Sequence, residues 1–346
     1  MARTATVAME ARQVETLPDG KGWQYEPKWD GFRCLARREG DEIELLGRSG
    51  KSLSRYFPEM IAALGRMKHE RFVLDGELVI PVGTSLSFEA LQMRLHPAAS
   101  RIKRLAEETP SLLIAFDLLE DAKGRDLHAE PLAGRRVALE RFFAALGEIE
   151  ELRLSPKTTR LADARKWLSR AGSGTLDGVV AKRLDEPYKA GERAMLKIKN
   201  LRSADCVVGG FRYATATKGA KKEVGSLLLG LYDEAGLLDH VGFTSALGGL
   251  DRAALTAKLE KLKGGGFTGD APGGPSRWST ARTAQWVPVK PKLVVEVQYD
   301  HVTGHRFRHG TSFLRWRPDK APRDCSFDQL VQEARPSRVM RLLKRA

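Results

Sequence analysis

Tyr25-Glu26-Pro27-Lys28-Trp29-Asp30-Gly31-Phe32-Arg33 is the segment around which the rest of the chain is interpreted. Pro27 and Gly31 bracket Lys28 and can hold it at a tight position between two strands. Side chains two residues apart on an extended strand project to the same face, so Glu26 and Lys28 are expected to point to one side. A lysine amine attacks phosphorus only when it is unprotonated, and partial burial next to other cations favours that form. Lys28 is therefore the candidate nucleophile, although a Lys-x-Asp-Gly string alone is too short to be decisive.

The residues that follow predict an α+β domain over 1–202. Residues 31–48 are expected to form a hairpin, in which an apolar run and a Glu-Ile-Glu-Leu-Leu run meet at a Glu-Gly-Asp turn. The run 112–119 is so apolar that it is expected to be a strand buried on both faces. Hydrophobic spacing predicts further helices at 55–68, 133–146 and 161–171, and further strands at 73–81, 176–182 and 195–198.

The sequence after Asn200 changes to short strands separated by glycine-rich turns. Several short strands with one intervening helix are typical of a small Greek-key barrel of the OB type. We therefore predict an all-β OB-fold domain over 203–346. Residues 264–280 are interpreted as a loop within it, and the basic tail 335–346 as a candidate short surface helix. The predicted strands are 206–213, 226–232, 238–243, 293–299 and 313–316, with an amphipathic helix at 251–263.

The charge of the chain is unevenly distributed. Its 346 residues, enough for two domains, carry 58 Lys and Arg against 44 Asp and Glu, a formal net charge of +14 that suits a polyanionic partner. Residues 201–346 hold 24 basic against 14 acidic residues, a net +10, whereas 1–200 hold 34 against 30, a net +4. The C-terminal part is therefore the expected nucleic-acid surface, and a solvated basic face without a ligand is the alternative.

The cysteines and the N-terminus bear on the cellular compartment. Cys34, Cys206 and Cys325 are far apart and form neither a disulfide framework nor a Cys-x-x-Cys pair, which fits a reducing cytosol. The N-terminus lacks an apolar signal-like region, and no apolar run approaches a membrane-spanning length. We expect a cytoplasmic protein without a membrane partner.

A series of motifs along the chain resembles the covalent nucleotidyltransferase superfamily, which includes DNA ligases, RNA ligases and mRNA capping enzymes. The motifs are Lys28-Trp29-Asp30-Gly31 (motif I), Arg48-Ser49-Gly50 (Ia), Leu74-Asp75-Gly76-Glu77-Leu78 (III), Phe116-Asp117 (IIIa), Asp177-Gly178-Val179-Val180-Ala181-Lys182 (IV), Leu196-Lys197-Ile198-Lys199 (V) and Arg315-Trp316-Arg317-Pro318-Asp319-Lys320 (VI). They occur in family order across most of the chain. The closer resemblance is to the small, stand-alone bacterial ATP-dependent DNA ligases of the C type, through residues 25–33 and 313–320.

This resemblance implies a fold and a reaction. The fold is an α+β nucleotidyltransferase domain followed by an OB barrel. Lys28 attacks the α-phosphate of ATP, AMP passes to the 5′-phosphate at a nick, and the 3′-hydroxyl displaces AMP to seal the strand. The implied requirements are ATP and Mg²⁺, with Mn²⁺ as an alternative. The implied partner is nicked duplex DNA, bound by a monomer that acts in DNA repair at the bacterial nucleoid.

The resemblance also implies roles for residues that would bind the nucleoside of ATP. Glu26 would read the adenine amino group, and Arg33 and Arg48 would belong to the nucleotide site. Glu77 would meet the ribose or a metal ion. Phe116 would stack on adenine, although an apolar strand around a lone phenylalanine is equally typical of core packing.

Other residues would handle phosphate. Lys197 and Lys199, two apart on a strand, would hold the α-phosphate and favour the neutral amine of the nucleophile by repulsion. Arg317 and Lys320 would orient the departing pyrophosphate. Asp177 would bind the metal, but it stands where the family more commonly has Glu, so its ligation could run through water. Met195 also departs from the family, which often has an aromatic residue nearby.

Two other functions share parts of this pattern. A capping-type guanylyltransferase has the same lysine nucleophile and a C-terminal OB domain, and labelling with ATP against GTP would separate it from a ligase. A non-catalytic module that binds nicks or ends would lack sealing activity. The intact motifs around Lys28 favour the ligase.

Two further patterns are not assigned to catalysis. His301, His305 and His309 are spaced by four, but Gly304 and Gly310 argue against the helix that a zinc face would need. The run Thr217-Lys218-Gly219-Ala220-Lys221-Lys222 lacks the Walker pattern and is interpreted as a basic loop that contacts DNA phosphate.

Overall fold

The computed structural model describes residues 7–83, 85–147, 149–171, 176–215, 222–273 and 285–330. Packing separates two units in this part of the chain, the first ending at Asn200 and the second beginning at Leu201. Cys34, Cys206 and Cys325 are free thiols buried in the hydrophobic cores. Among the described residues, no helix is long and apolar enough to cross a membrane.

The first unit contains two main β-sheets with helices packed beside them. Its strands are β1 (Ala11–Gln13), β2 (Trp23–Trp29), β3 (Phe32–Glu39), β4 (Glu42–Gly47), β5 (Arg71–Val79), β6 (Pro81–Val82), β7 (Ser85–Leu86), β8 (Leu112–Glu120), β9 (Leu152–Leu154), β10 (Leu176–Arg183) and β11 (Met195–Ile198). Its helices are α1 (Pro58–Gly65), α2 (Phe88–Arg94), α3 (Ala99–Glu108), α4 (Leu132–Leu146) and α5 (Leu161–Leu168). One sheet has the order β1-β11-β10-β2, the other the order β4-β3-β5-β8-β9, and β6 pairs with β7.

Asp30 and Gly31 carry the chain from one sheet to the other. The strand before them, β2, lies in the four-stranded sheet, and the strand after them, β3, lies in the five-stranded sheet. A Cβ at Gly31 would lie 2.2 Å from the carbonyl oxygen of Leu78, so only glycine allows this approach of the backbones. The crossing places Lys28, near the end of β2, and Arg33, near the start of β3, at the junction of the sheets.

Most predicted elements of the first unit are confirmed. The hairpin forms from β3 and β4, and β8 is buried from residue 113 to residue 119. The helix expected over 55–68 is shorter, because Pro58 starts α1 after a separate 3₁₀ turn at Ser54–Tyr56. Six elements were not predicted: the helices α2 and α3, and the strands β1, β6, β7 and β9, whose two or three residues are too few to show a periodicity.

The second unit consists mainly of antiparallel β-strands, with one α-helix among its described residues. Its strands are β12 (Arg202–Tyr213), β13 (Val224–Tyr232), β14 (Leu238–Ala246), β15 (Val287–Pro288), β16 (Val294–Tyr299), β17 (Val302–Thr303), β18 (Arg306–Phe307) and β19 (Thr311–Trp316), and its helix is α6 (Arg252–Glu260). The side chain of Asp251 accepts hydrogen bonds from the amides of Ala253 and Ala254 and so caps α6.

The main sheet of this unit closes on itself. Its order is β13-β14-β19-β16-β12-β15, and β12 also pairs with β13. The pair β14–β19 is parallel and its other pairs are antiparallel. Five strands therefore form a closed barrel around an apolar core, and the predicted OB fold is confirmed.

The remaining predictions for the second unit have mixed outcomes. Residues 301–309 include the β17–β18 hairpin and form no helix. The described part of the predicted loop, 264–273, contains neither strand nor helix. Residues 274–280, residues 217–221 and the tail 335–346 lie outside the described residues.

Candidate active site

A cavity of about 680 Å³ opens at the junction of the two sheets of the first unit. Seven of the residues predicted from the motifs line it: Glu26, Lys28, Arg33, Arg48, Glu77, Phe116 and Lys197. Asp177 lies beside the cavity and contacts Lys28, and Lys199 contacts Asp177 in turn. Arg317 and Lys320 belong to the second unit.

One carboxylate oxygen binds two of the predicted catalytic lysines. Asp177 Oδ2 lies 2.5 Å from Lys28 Nζ and 3.2 Å from Lys199 Nζ. Gly178 follows Asp177, pairs with Lys28 across β10 and β2, and has a φ of +149°. A Cβ at Gly178 would lie 2.0 Å from the carbonyl oxygen of Ile198, so glycine is required where β10 packs this closely on β11. The close packing of the strands brings the three side chains together.

Lys197 adds a third ammonium group to this end of the cavity. It lies on β11 and lines the cavity, whereas Lys199 lies just after the strand. Burial, and after it the nearby charges of Lys28 and Lys199, lowers the pKa of Lys197. Three cations around a single carboxylate make this end of the cavity suitable for a phosphate group.

Another part of the cavity wall contains a buried polar cluster. Glu26 Oε1 accepts a hydrogen bond of 2.7 Å from Gln24 Nε2, and Glu26 Oε2 lies 2.8 Å from Lys182 Nζ. The ring of Phe116 lies under two cations, because Arg33 Cζ and Lys182 Nζ are each 4.6 Å from its centroid. Phe116 is 8% exposed and forms a wall of the cavity as well as part of the interior.

Arg33 is held by a buried carboxylate. Its Nε and Nη2 atoms lie 2.5 Å and 2.6 Å from the two carboxylate oxygens of Asp75, which also accepts a hydrogen bond from Tyr188. Burial raises the pKa of Tyr188. The two hydrogen bonds to Asp75 make Arg33 a fixed part of the cavity wall.

Glu77 lines the same cavity. Burial raises the pKa of Glu77 to about 7, although Lys28 and Arg33 oppose the shift.

Arg48 lies at the mouth of the cavity and is far less constrained. Its side chain is 72% exposed, and its nearest carboxylate oxygen, in Glu10, is 3.8 Å away. Such an exposed pair contributes little to stability, so Arg48 can turn toward a bound anion at little cost.

The motif VI cations are paired with carboxylates of their own unit. Arg317 donates to both carboxylate oxygens of Asp205 at 2.8 Å and also binds Asp319. The Arg317 hydrogen bond lowers the pKa of Asp319 to about 2. Lys320 Nζ lies 3.0 Å from Asp205 Oδ2. Arg315 binds Glu296 at 2.7 Å, and β19 ends at Trp316, before Arg317.

Several residues of these clusters were not predicted. Lys182 could have been found, because it is two residues from Val180 on β10 and both line the cavity. Gln24 could have been found in the same way, because it is two residues from Glu26 on β2. Asp205 gave no local signal, because its partners lie more than a hundred residues away.

The two-sheet unit with its lysine-bearing cavity, followed by an OB barrel that carries motif VI, defines the class of covalent nucleotidyltransferases. The family described as "ATP dependent DNA ligase domain" matches residues 5–199, and "ATP dependent DNA ligase C terminal region" matches residues 220–320. DNA ligase C2 of Mycolicibacterium smegmatis is 43% identical over 96% of each chain. DNA ligase C of Mycobacterium tuberculosis is 41% identical over 93% of this chain and 92% of its own.

The chain therefore belongs to the ATP-dependent DNA ligases, which seal nicks in DNA. This assignment favours the ligase over the capping-type guanylyltransferase and the non-catalytic end-binding module. A solved structure named Pmar-Lig_PreS3 has a TM-score of 0.59 at 16% identity and covers 86% of this chain and 64% of its own. A structure from work on Lig E DNA ligases has a TM-score of 0.55 at 18% identity over 90% and 99%. At these identities the structures support the shared fold alone.

Proposed function

We propose that Lys28 is the residue that carries AMP between ATP and the DNA nick. The observation that carries this proposal is the convergence of Lys28, Lys197, Lys199 and Asp177 at one end of a nucleotide-sized cavity. Asp177 Oδ2, 2.5 Å from Lys28 Nζ, orients the amine. Lys197 and Lys199 hold the α-phosphate and stabilise the charge that develops on it during attack.

The base and ribose of ATP occupy the other part of the cavity in this proposal. Glu26 accepts a hydrogen bond from the adenine amino group, and Phe116 provides an apolar wall for the ring. Arg33 supports that wall from behind, since its guanidinium is held by Asp75. Arg48, exposed at the mouth, binds the outer part of the nucleotide.

Mg²⁺, with Mn²⁺ as an alternative, is the cation that we assign to Glu77 and Asp177. No group of three or more His, Cys, Asp or Glu among the described residues could hold a metal by protein ligands alone. Mg²⁺ in phosphate-transfer sites usually binds one or two carboxylates and completes its shell with water and substrate phosphates. Two carboxylates beside a cationic cavity fit that pattern. When bound, the ion would neutralise charge on the phosphates.

The second unit supplies the motif VI cations and the DNA surface. Arg317 and Lys320 orient pyrophosphate in the first step, for which they must leave Asp205. The net charge of +10 over residues 201–346 supports binding of nicked duplex DNA through its phosphates. We take the adenylation domain as 1–202 and the OB domain as 203–346, acting as a monomer at the bacterial nucleoid in DNA repair.

The test is transfer of a label from nucleotide to protein to DNA. The chain is incubated with α-labelled ATP, and separately with α-labelled GTP, and then chased onto nicked duplex DNA. We expect covalent adduct formation to favour ATP strongly over GTP, and the AMP of the adduct to be transferred to the nick. Lys28→Ala and Lys28→Arg should both abolish the adduct, because a guanidinium stays protonated and is a poor nucleophile. A labelled adduct that persists in either variant would show that another residue carries AMP.

A further inference from the structure

Glu26 is held by two donors that lie next to it in the β2–β10 pair. Its carboxylate binds Gln24 Nε2 at 2.7 Å through one oxygen and Lys182 Nζ at 2.8 Å through the other. Gln24 and Lys182 pair directly across the two strands, and Glu26 pairs with the neighbouring Val180. Gln24, Glu26 and Lys182 are 1%, 2% and 4% exposed, so water does not compete for these contacts.

This arrangement determines which hydrogen bonds Glu26 can offer to a base. An ammonium group has no lone pair, so the Glu26 oxygen next to Lys182 must be an acceptor. A carboxylate paired with an ammonium group and an amide NH₂ group offers a ligand acceptor atoms only. Each carboxylate oxygen keeps a second lone pair for a ligand in the cavity.

An acceptor-only edge distinguishes the two purines. Adenine carries an amino donor at position 6, whereas guanine carries a carbonyl acceptor there. The Glu26 carboxylate can accept a hydrogen bond from the amino group of adenine. With guanine, its oxygen would face another oxygen that also carries negative partial charge. Sites with buried polar groups reject a ligand that leaves them unpaired.

We propose that Lys182 is a positioning residue that sets the base specificity of the ligase by holding the Glu26 carboxylate in the orientation in which it accepts from adenine. The proposal rests on the proposed role of Glu26 as the reader of the base. Lys182 also lies over the ring of Phe116, so one ammonium group organises two walls of the same pocket. Without that ammonium, one oxygen of Glu26 loses the donor that fixes it, and the carboxylate can turn away from the adenine amino group.

The experiment compares ATP with GTP in Lys182→Met, which keeps the length of the side chain and removes its charge. The rate constant and the apparent KM for adduct formation on Lys28 are measured with each nucleotide under single-turnover conditions. We expect the ATP-to-GTP ratio of kcat/KM to fall by at least about tenfold, the effect of losing one hydrogen bond to a charged group. The change should appear mainly in KM for ATP, because the phosphate end of the cavity is untouched.

Three further variants make the result specific. Lys182→Arg keeps the charge and should restore most of the ATP-to-GTP ratio of kcat/KM. Lys182→Gln keeps a hydrogen-bond donor without the charge, and it replaces Lys182→Met if that variant fails to fold. Lys189→Met removes a lysine that pairs with Glu186 away from the cavity and should leave the ratio unchanged.

The outcomes separate this inference from the proposed function. An unchanged ATP-to-GTP ratio in both Lys182→Met and Lys182→Gln would overturn the role of Lys182. An equal decrease in the rate constant of adduct formation with ATP and with GTP, at unchanged KM, would also overturn it. That result is the signature of a merely structural residue. Absence of an ATP adduct in the parent protein would instead refute the proposed role of Lys28.

Discussion

Asp177 is the residue that connects the phosphate-binding groups of the site. Its Oδ2 atom binds both Lys28 and Lys199. Lys197 lies nearby, and burial followed by the charges of Lys28 and Lys199 lowers the pKa of Lys197. Without the carboxylate, Lys28 and Lys199 would lose the counter-charge that they share. The short side chain of Asp177 reaches both lysines directly.

Asp177→Asn should therefore slow formation of the Lys28 adduct by about 100-fold, the usual cost of removing one preorganised charged group. The amide keeps the size of the side chain but cannot balance the two lysines. Asp177→Glu, which restores the commoner family residue, is the matched control and should retain more activity than Asp177→Asn. Single-turnover labelling with α-labelled ATP measures both. An Asn variant as fast as the parent would mean that the carboxylate does not orient Lys28.

At the scale of elements, β14 contains a histidine that the fold keeps neutral. His240 is buried, its Nδ1 atom interacts with Arg306, and its ring packs against Phe267. Burial, and after it the charges of Arg306 and Arg212, lowers the pKa of His240 to about 3. A second cation cannot be accommodated at this position, so the barrel binds no proton here at ordinary pH.

This shift predicts a loss of stability in acid. The unfolded chain takes up a proton on His240 near pH 6.5, while the folded chain does so only near pH 3. Between these values the unfolded state binds more protons, so the free energy of unfolding falls as the pH is lowered, by up to about 1.4 kcal/mol per pH unit. Denaturant unfolding at pH 7.5, 6 and 5 measures the slope.

His240→Asn is the control for this slope, because its side-chain oxygen can still accept from Arg306 but does not titrate. Carboxylates that titrate in the same range contribute equally to both proteins, so the difference between the two slopes isolates His240. Identical slopes would show that the imidazole takes up its proton over the same pH range in the folded and the unfolded chain, and therefore that burial does not lower its pKa.

At the scale of the whole molecule, motif VI should act in one step of the reaction and not in the others. Pyrophosphate leaves in the first step and is absent afterwards. Arg317→Ala and Lys320→Ala should therefore slow formation of the Lys28 adduct by about 100-fold but largely spare sealing of a nick that already carries 5′-AMP. Both reactions are measured in each variant.

Arg323→Ala is a matched control for motif VI, since Arg323 stacks on Tyr232 in the same unit outside the motif. It should leave both reactions near the parent rates. Equal losses in the two reactions for Arg317→Ala or Lys320→Ala would mean that motif VI contacts DNA or supports folding. The account of a cation pair that leaves Asp205 to meet pyrophosphate would then have to be abandoned.

The basic second unit leads to a prediction about DNA binding. If the basic side chains that give residues 201–346 their net charge of +10 bind the duplex backbone, the affinity for nicked DNA should fall steeply with salt concentration. It should depend little on the DNA sequence. A chain that ends at Asn200 should lose most of this affinity. Titration of labelled nicked duplex at several salt concentrations measures both effects. Unchanged affinity after the truncation would show that the charge excess is a solvated face.

Much of the fold could be predicted because its signals are local. The apolar run 112–119 forms the buried strand β8, and the turn after Glu39 closes the β3–β4 hairpin. The glycines of two motifs also have local causes, since Gly31 and Gly178 lie where a Cβ would meet a neighbouring carbonyl oxygen. The helices α2 and α3 were missed; α2 packs through Ala90 and Leu91 on the same core as β8.

The chain sequence alone carried the class of reaction, the identity of the candidate nucleophile and the order of the two folds, because motif spacing and strand alternation depend on residues close together in the chain. Tertiary structure decided which charges are paired. Lys182 reaches Glu26 through the register of β10 on β2, and Asp205 reaches Arg317 across 112 residues. Ion pairs of this kind depend on which strands become neighbours, and a linear sequence without that pairing contains several equally good partners for each charge.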